Sequence, residues 1–163
     1  MNRMGYPVLA ALALTAPLAA KDSLGVFSGW GVFRSASVPT CYAITEAEPK
    51  ASAGAFQPYA TVASWPARRV ENQVHFRLSR KRRADTSVIL RIGRRNFPMV
   101  AGDADAWAKD GATNSAILAA IRAANTMQIY ATDTRGRRFS DSYALSGAAT
   151  AIDAATLACS RRR

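Results

Sequence analysis

Cys41 and Cys159 are the two cysteines of this chain of 163 residues, and their placement constrains the fold more than any other feature. Cys159 ends the most readable stretch. Met127, Ile129 and Ala131 alternate with Gln128, Tyr130 and Thr132, the period of a half-buried strand. Residues 133–137 (Asp-Thr-Arg-Gly-Arg) supply turn chemistry, and Phe139, Tyr143 and Leu145 share one face of a returning strand. Ser146-Gly147 then offers an N-cap to an Ala-rich run in which Ala148, Ile152, Ala155 and Cys159 recur at helical spacing. The spacing predicts that Cys159 faces the core. Cys41 opens an early strand, so a bond between the two would close nearly the whole domain into a loop. On the chain-entropy model, closing a loop of about 100 residues or more stabilises a fold by about 4 to 5 kcal/mol at most. Two buried thiols are the alternative, and the redox compartment decides between them.

The N-terminus bears on that compartment. Asn2 and Arg3, the apolar run 6–18 and the small-residue exit Leu18-Ala19-Ala20 have the form of a secretory signal peptide, with cleavage expected after Ala20. The apolar run falls short of the roughly 20 residues that span a bilayer, and no later run approaches that length. The expected product is one domain, residues 21–163, periplasmic or secreted, with no transmembrane segment in the mature chain. An oxidising compartment favours the Cys41–Cys159 bond. The chain carries 22 Lys+Arg against 11 Asp+Glu, a net charge of +11 that becomes +10 when Arg3 leaves with the signal.

Between these landmarks the pattern is mostly that of short strands. Residues 24–34 read as one strand with apolar residues on both faces, loosened by Gly25, Gly29 and Gly31. Cys41 starts a second, residues 50–55 (Lys-Ala-Ser-Ala-Gly-Ala) form a surface loop, and residues 59–65 make a third strand ended by Pro66. In 70–78, Val74, Phe76 and Leu78 oppose Gln73, His75 and Arg77. Residues 86–92 pair through Gly93-Arg94-Arg95 with 97–100, where Pro98 predicts an edge strand. Two helical pieces are expected next, 103–109 around Trp107 and 113–124 capped by Thr113 or Asn114. Short antiparallel neighbours of this kind predict a mainly β fold, an antiparallel β-sandwich or partly open barrel with two or three short helices.

The order of a strand with glycine turn (90–100), Trp107, a helix (117–122), a strand (127–130), and Tyr143-Ala144-Leu145-Ser146-Gly147 leading into Ala151-Ile152-Asp153 resembles the invasion-associated locus B family of exported bacterial proteins. The likeness covers roughly the C-terminal half, and the additional mid-domain cysteines of many members are missing here. The resemblance implies a periplasmic or envelope-exposed, mostly β domain. It carries over no catalytic residue.

Familiar catalytic constellations are absent from the sequence. One histidine, His75, is expected on an exposed strand face, and no His/Cys/carboxylate spacing matches a zinc site. Neither Gly-x-Ser-x-Gly, Ser-x-x-Lys nor a phosphate loop occurs, so no catalytic residue, metal or cofactor is expected. The carboxylate pairs Glu46/Glu48 and Asp103/Asp105 read as surface or capping groups, the latter at the head of the expected Trp107 helix. A hydrolase acting on envelope sugars through such a pair is the enzymatic alternative.

The remaining feature is basic. Arg80, Lys81, Arg82 and Arg83 form one run, Arg94 and Arg95 a second beside Arg91, Arg135, Arg137 and Arg138 a third, and residues 161–163 a fourth. All fall at strand ends, turns or the terminus, where several can gather into one anion-binding rim; a solubilising fringe is the plainer reading. For an exported protein the partner so recognised would be anionic envelope lipid or polysaccharide. Nucleic acid is disfavoured unless the chain is not exported, because no aromatic residue is interleaved in the 80–83 run.

Overall fold

A computed structural model describes residues 21–49 and 54–160. The expected signal peptide (1–20), most of the 50–55 loop and the terminal arginines 161–163 lie outside the described residues. Ten strands and two helices follow in the order β1 (Lys21–Phe27), β2 (Trp30–Ser35), β3 (Thr40–Glu46), β4 (Tyr59–Trp65), β5 (Val70–Arg77), β6 (Val88–Ile92), β7 (Arg95–Ala101), β8 (Asp105–Ala108), α1 (Gly111–Arg122), β9 (Thr126–Thr132), β10 (Arg138–Ala144) and α2 (Ala148–Ser160). Every strand belongs to one antiparallel sheet, ordered β1-β2-β3-β4-β5-β8-β7-β6-β9-β10 and not closed into a barrel.

Side-chain alternation gives this sheet one dry face and one wet face. Trp30, Val32, Val62, Phe76, Leu90 and Ile129 point inward and are at most 2% exposed. The dry face folds over on itself. The ring of Phe76 on β5 lies 5.7 Å from that of Tyr143 on β10, although four strands separate these two in the sheet. The first strands also reach toward the last: Glu48 N–H donates to Ser142 O at 2.8 Å, and the Trp30 indole N–H to Ala144 O at 3.0 Å.

The helices complete the core. α2 lays Ala148, Ala151, Ile152 and Ala155 against β1 to β4, and α1 places Ile117, Ala120 and Ile121 on the β5 to β8 side. Small residues let α2 come close: a Cβ on Gly147, whose φ is +81°, would stand 2.1 Å from Phe27 O. At the far end of α2 the Cys159 sulfur is bonded to that of Cys41, with Cα atoms 5.8 Å apart and a sequence separation of 118. The bond fixes α2 to β3.

Four local expectations are corrected. The 24–34 strand is a hairpin turning at Ser28-Gly29, with Ser28 at φ +53°; the reversal leaves Val26 68% exposed while Trp30 is fully buried. The Trp107 helix is strand β8, because residues 105–108 pair with β5 on one side and β7 on the other, giving the backbone partners that a one-turn helix would leave unmade. Pro98 lies in an interior strand, tolerated because β8 pairs only with Met99 to Ala101 and ends short of it. α1 is capped by Asp110, whose carboxylate accepts the Thr113 N–H at 2.7 Å, and this bond holds its pKa below the usual carboxylate value. Asn114 instead reaches β5, accepting from Val74 N–H and donating to Asn72 O, both at 2.9 Å, where Asn72 sits at φ +49°.

Candidate anion-binding surface

The chain leaving β5 runs beside the β9–β10 turn, and the two basic runs meet there. Arg83 N–H donates to Thr132 O at 2.8 Å, and Arg82 and Asp133 form an isolated antiparallel bridge. Asp133 organises the turn. Its Oδ1 accepts the backbone N–H groups of Arg135 and Arg137, each at 2.9 Å, an arrangement that suits the short Asp side chain, while Gly136 takes φ +78°. Its Oδ2 accepts from the guanidiniums of Arg80 and Arg137 at 3.3 and 3.2 Å. Asp133 is only 4% exposed. The Arg137 N–H does most to hold its carboxyl below the usual range, burial opposes, and Arg135 N–H with the Arg137 and Arg80 guanidiniums adds to the lowering.

The arginines here divide into two kinds. Arg80 stands over the Phe139 ring at 5.8 Å and pairs with Asp133, and Arg82 donates to the carbonyls of Gly102, Arg83, Ala84, Thr86 and Ala101. These two hold the fold. Arg83, Arg135, Arg137 and Arg138 are exposed around the same turn, and Lys81 lies 3.9 Å from exposed Asp103. The two runs together hold six arginines against buried Asp133 and exposed Asp85 in the same segments, a local excess of positive charge.

Arg94 and Arg95 are elsewhere. β6 runs antiparallel to β9 with Ile89 opposite Tyr130 and Ile92 opposite Met127, so the β6–β7 turn lies at the Met127 end of the ladder and Asp133 beyond the other. Six residues of strand separate the levels, about 20 Å. That exceeds twice the Debye length of about 8 Å at physiological salt, so the two groups do not act as one rim. Arg95 stacks on Phe97 at 4.9 Å and Arg91 on Tyr130 at 5.0 Å.

The carboxylates fall differently from their sequence reading. Asp105 caps no helix: it accepts from His75 Nε2 at 3.0 Å and from Arg77 at 2.6 Å. His75 is accordingly not exposed, its side chain being 18% accessible between Tyr59 and Trp107. The polar alternation of Gln73, His75 and Arg77 was the available signal, but the acidic partner comes from a strand 30 positions away. Glu46 and Glu48 line a cleft of about 400 Å³ that also contacts buried Asp141, whose Oδ2 accepts the Ser79 N–H. Among the described residues no group of three or more His, Cys, Asp or Glu side chains is placed to hold a metal, and no helix is long and apolar enough to cross a membrane. Compared with protein-family models, curated proteins and solved structures, the chain matches none.

Proposed function

We propose that this chain is an exported, disulfide-stapled domain of the bacterial envelope, of the invasion-associated locus B type, that works by binding phosphate- or carboxylate-bearing envelope material rather than by catalysis. One observation carries the reading: the basic runs 80–83 and 135–138, far apart in sequence, converge on the Asp133 turn and leave Arg83, Arg135 and Arg138 exposed beside it. Guanidiniums bind such groups through two parallel hydrogen bonds, and several within a Debye length add their fields. The Cys41–Cys159 bond supports an oxidising compartment, as does the signal-like N-terminus.

The test has two parts. Mass spectrometry of the product is expected to find a chain beginning at Lys21 in the periplasmic or secreted fraction; an unprocessed cytoplasmic product would remove export and reopen nucleic-acid binding. Co-sedimentation with phosphatidylglycerol vesicles, and separately with alginate, distinguishes a lipid phosphate from a sugar carboxylate. Binding to neither would remove the anion-binding role.

The cleft shared by Glu46, Glu48 and Asp141 favours a second reading, hydrolysis of envelope sugars with the glutamates as acid and base. Release of reducing sugar from purified cell-wall glycan, abolished in Glu46→Gln, is its expected signature. No release would end it.

A further inference from the structure

The wet face of β3, β4, β5 and β8 carries a groove that the anion-binding reading does not use. Tyr42, Tyr59, Trp65, His75 and Trp107 line it, over about 480 Å³. The register puts them there: Tyr42 is opposite Ala63, Thr61 opposite His75, and His75 opposite Trp107, so these side chains leave the sheet on the same side. All five residues are half-buried, so each keeps part of its surface open to solvent.

These rings are held in place before any ligand arrives. His75 lies 5.2 Å from Trp107 and 5.8 Å from Tyr59, and Asp105, itself fixed by Arg77, accepts from its Nε2. Phe33 stacks on Tyr42 at 5.6 Å. Rings that are ordered in the free protein lose little conformational freedom on binding, which is why rigid aromatic side chains make effective contact surfaces.

Charge selects the class of ligand. Arg77, on this face of β5, is neutralised by Asp105 at 2.6 Å, and Lys21 lies at one end of the groove; Arg34, paired with Asp22, is on the opposite face beside Cys41. A single-stranded nucleic acid needs a positive track along its phosphates beside the stacking rings, and the arginine excess lies instead around Asp133. Partly exposed rings with Thr61 and His75 among them suit a ligand that is flat and apolar on its faces, hydroxylated at its edges and uncharged. We propose that this groove binds a neutral oligosaccharide, stacking sugar rings on Tyr42, Tyr59, Trp65 and Trp107. From β3 to β8 is three strand spacings, about 14 Å, room for several rings.

The test uses the purified full chain, its N-terminus established by mass, titrated with chitohexaose, cellohexaose, maltohexaose and a short oligothymidine. Tryptophan fluorescence and calorimetry are the readouts; Trp30 is buried, so a change reports Trp65 and Trp107. At least one hexasaccharide is expected to bind saturably, about tenfold more weakly in Trp107→Ala and in Trp65→Ala, with Trp107→Phe close to the wild type. Leu157→Ala, an exposed position on α2, is the unaffected control. If Trp107→Ala does not melt cooperatively, Trp65→Ala and Trp107→Phe carry the comparison. Absence of binding by all three sugars, binding indifferent to the tryptophan substitutions, or tighter groove binding by oligothymidine would overturn the proposal.

Discussion

Arg82 Nε donates to the carbonyl oxygen of Gly102 at 2.8 Å, tying the segment after β5 to the end of β7. The rest of its guanidinium is taken up by the carbonyls of Ala101, Arg83, Ala84 and Thr86. Such bonds to a charged donor are stronger than neutral ones. Arg82→Ala is expected to lower stability by about 2 kcal/mol, well above a typical surface change, as read by urea denaturation. A midpoint equal to the wild type would show the carbonyls equally well served by water.

The Cys41–Cys159 bond closes a loop of 118 positions. Its reduction, or the Cys41→Ser/Cys159→Ser pair, is expected to lower stability by up to about 5 kcal/mol and to free α2 first, since that helix has few long side chains to hold it. Hydrogen exchange should show the loss of protection concentrated in residues 148–160. Uniform loss across the sheet would place the bond's effect in the whole fold instead.

Tyr143 is fully buried, and its hydroxyl has no hydrogen-bond partner among the described residues. Burial, with the charge of Asp141 adding, pushes its pKa up, so the group stays protonated. Removing an unpaired buried hydroxyl relieves a desolvation cost while keeping the ring against Phe76. Tyr143→Phe is therefore expected to leave stability unchanged or raise it by about 1 kcal/mol in a thermal melt. A clear loss would mean that the hydroxyl has a partner.

Asp133 couples stability to pH. A carboxyl whose folded pKa is depressed contributes fully above its unfolded value of about 4 and loses that contribution as pH falls through the lower, folded value. Asp133→Asn is expected to be less stable than the wild type at neutral pH, with the gap closing in acid. Melting curves from neutral pH down to about 3 measure it. A gap that is constant with pH would assign the loss to geometry alone.

What the sequence made visible was local. Residues 59–65 appear as β4 with those bounds, and the Met127 to Leu145 hairpin and the inward Cys159 follow from alternation, turn residues and helical spacing. What escaped depended on distant partners or on an unusual turn. Ser28 takes a left-handed conformation that no residue type there advertises, and β8 is four residues long and exists through its pairing with β5 and β7. Arg80 to Arg83 read as one basic run because composition cannot tell Arg82, bonded to five carbonyls, from exposed Arg83. The meeting of that run with the 135–138 run was foreseeable from strand ends; the separation of Arg94 and Arg95 needed the β6–β9 register.

The most direct measurement of anion binding is co-sedimentation of the purified protein with phosphatidylglycerol and with phosphatidylcholine vesicles at low and high salt. The comparison sets the wild type against Arg83→Ser/Arg135→Ser/Arg138→Ser and against Arg94→Ser/Arg95→Ser. At about 1 kcal/mol per basic residue near an acidic membrane, the triple change is expected to cost about 3 kcal/mol, roughly a hundredfold in affinity, while the double change costs less. Binding should be confined to the anionic vesicles and weaken with salt. Equal binding to both vesicle types, or a triple variant that binds like the wild type, would contradict the assignment and leave the arginines around Asp133 as a solubilising fringe.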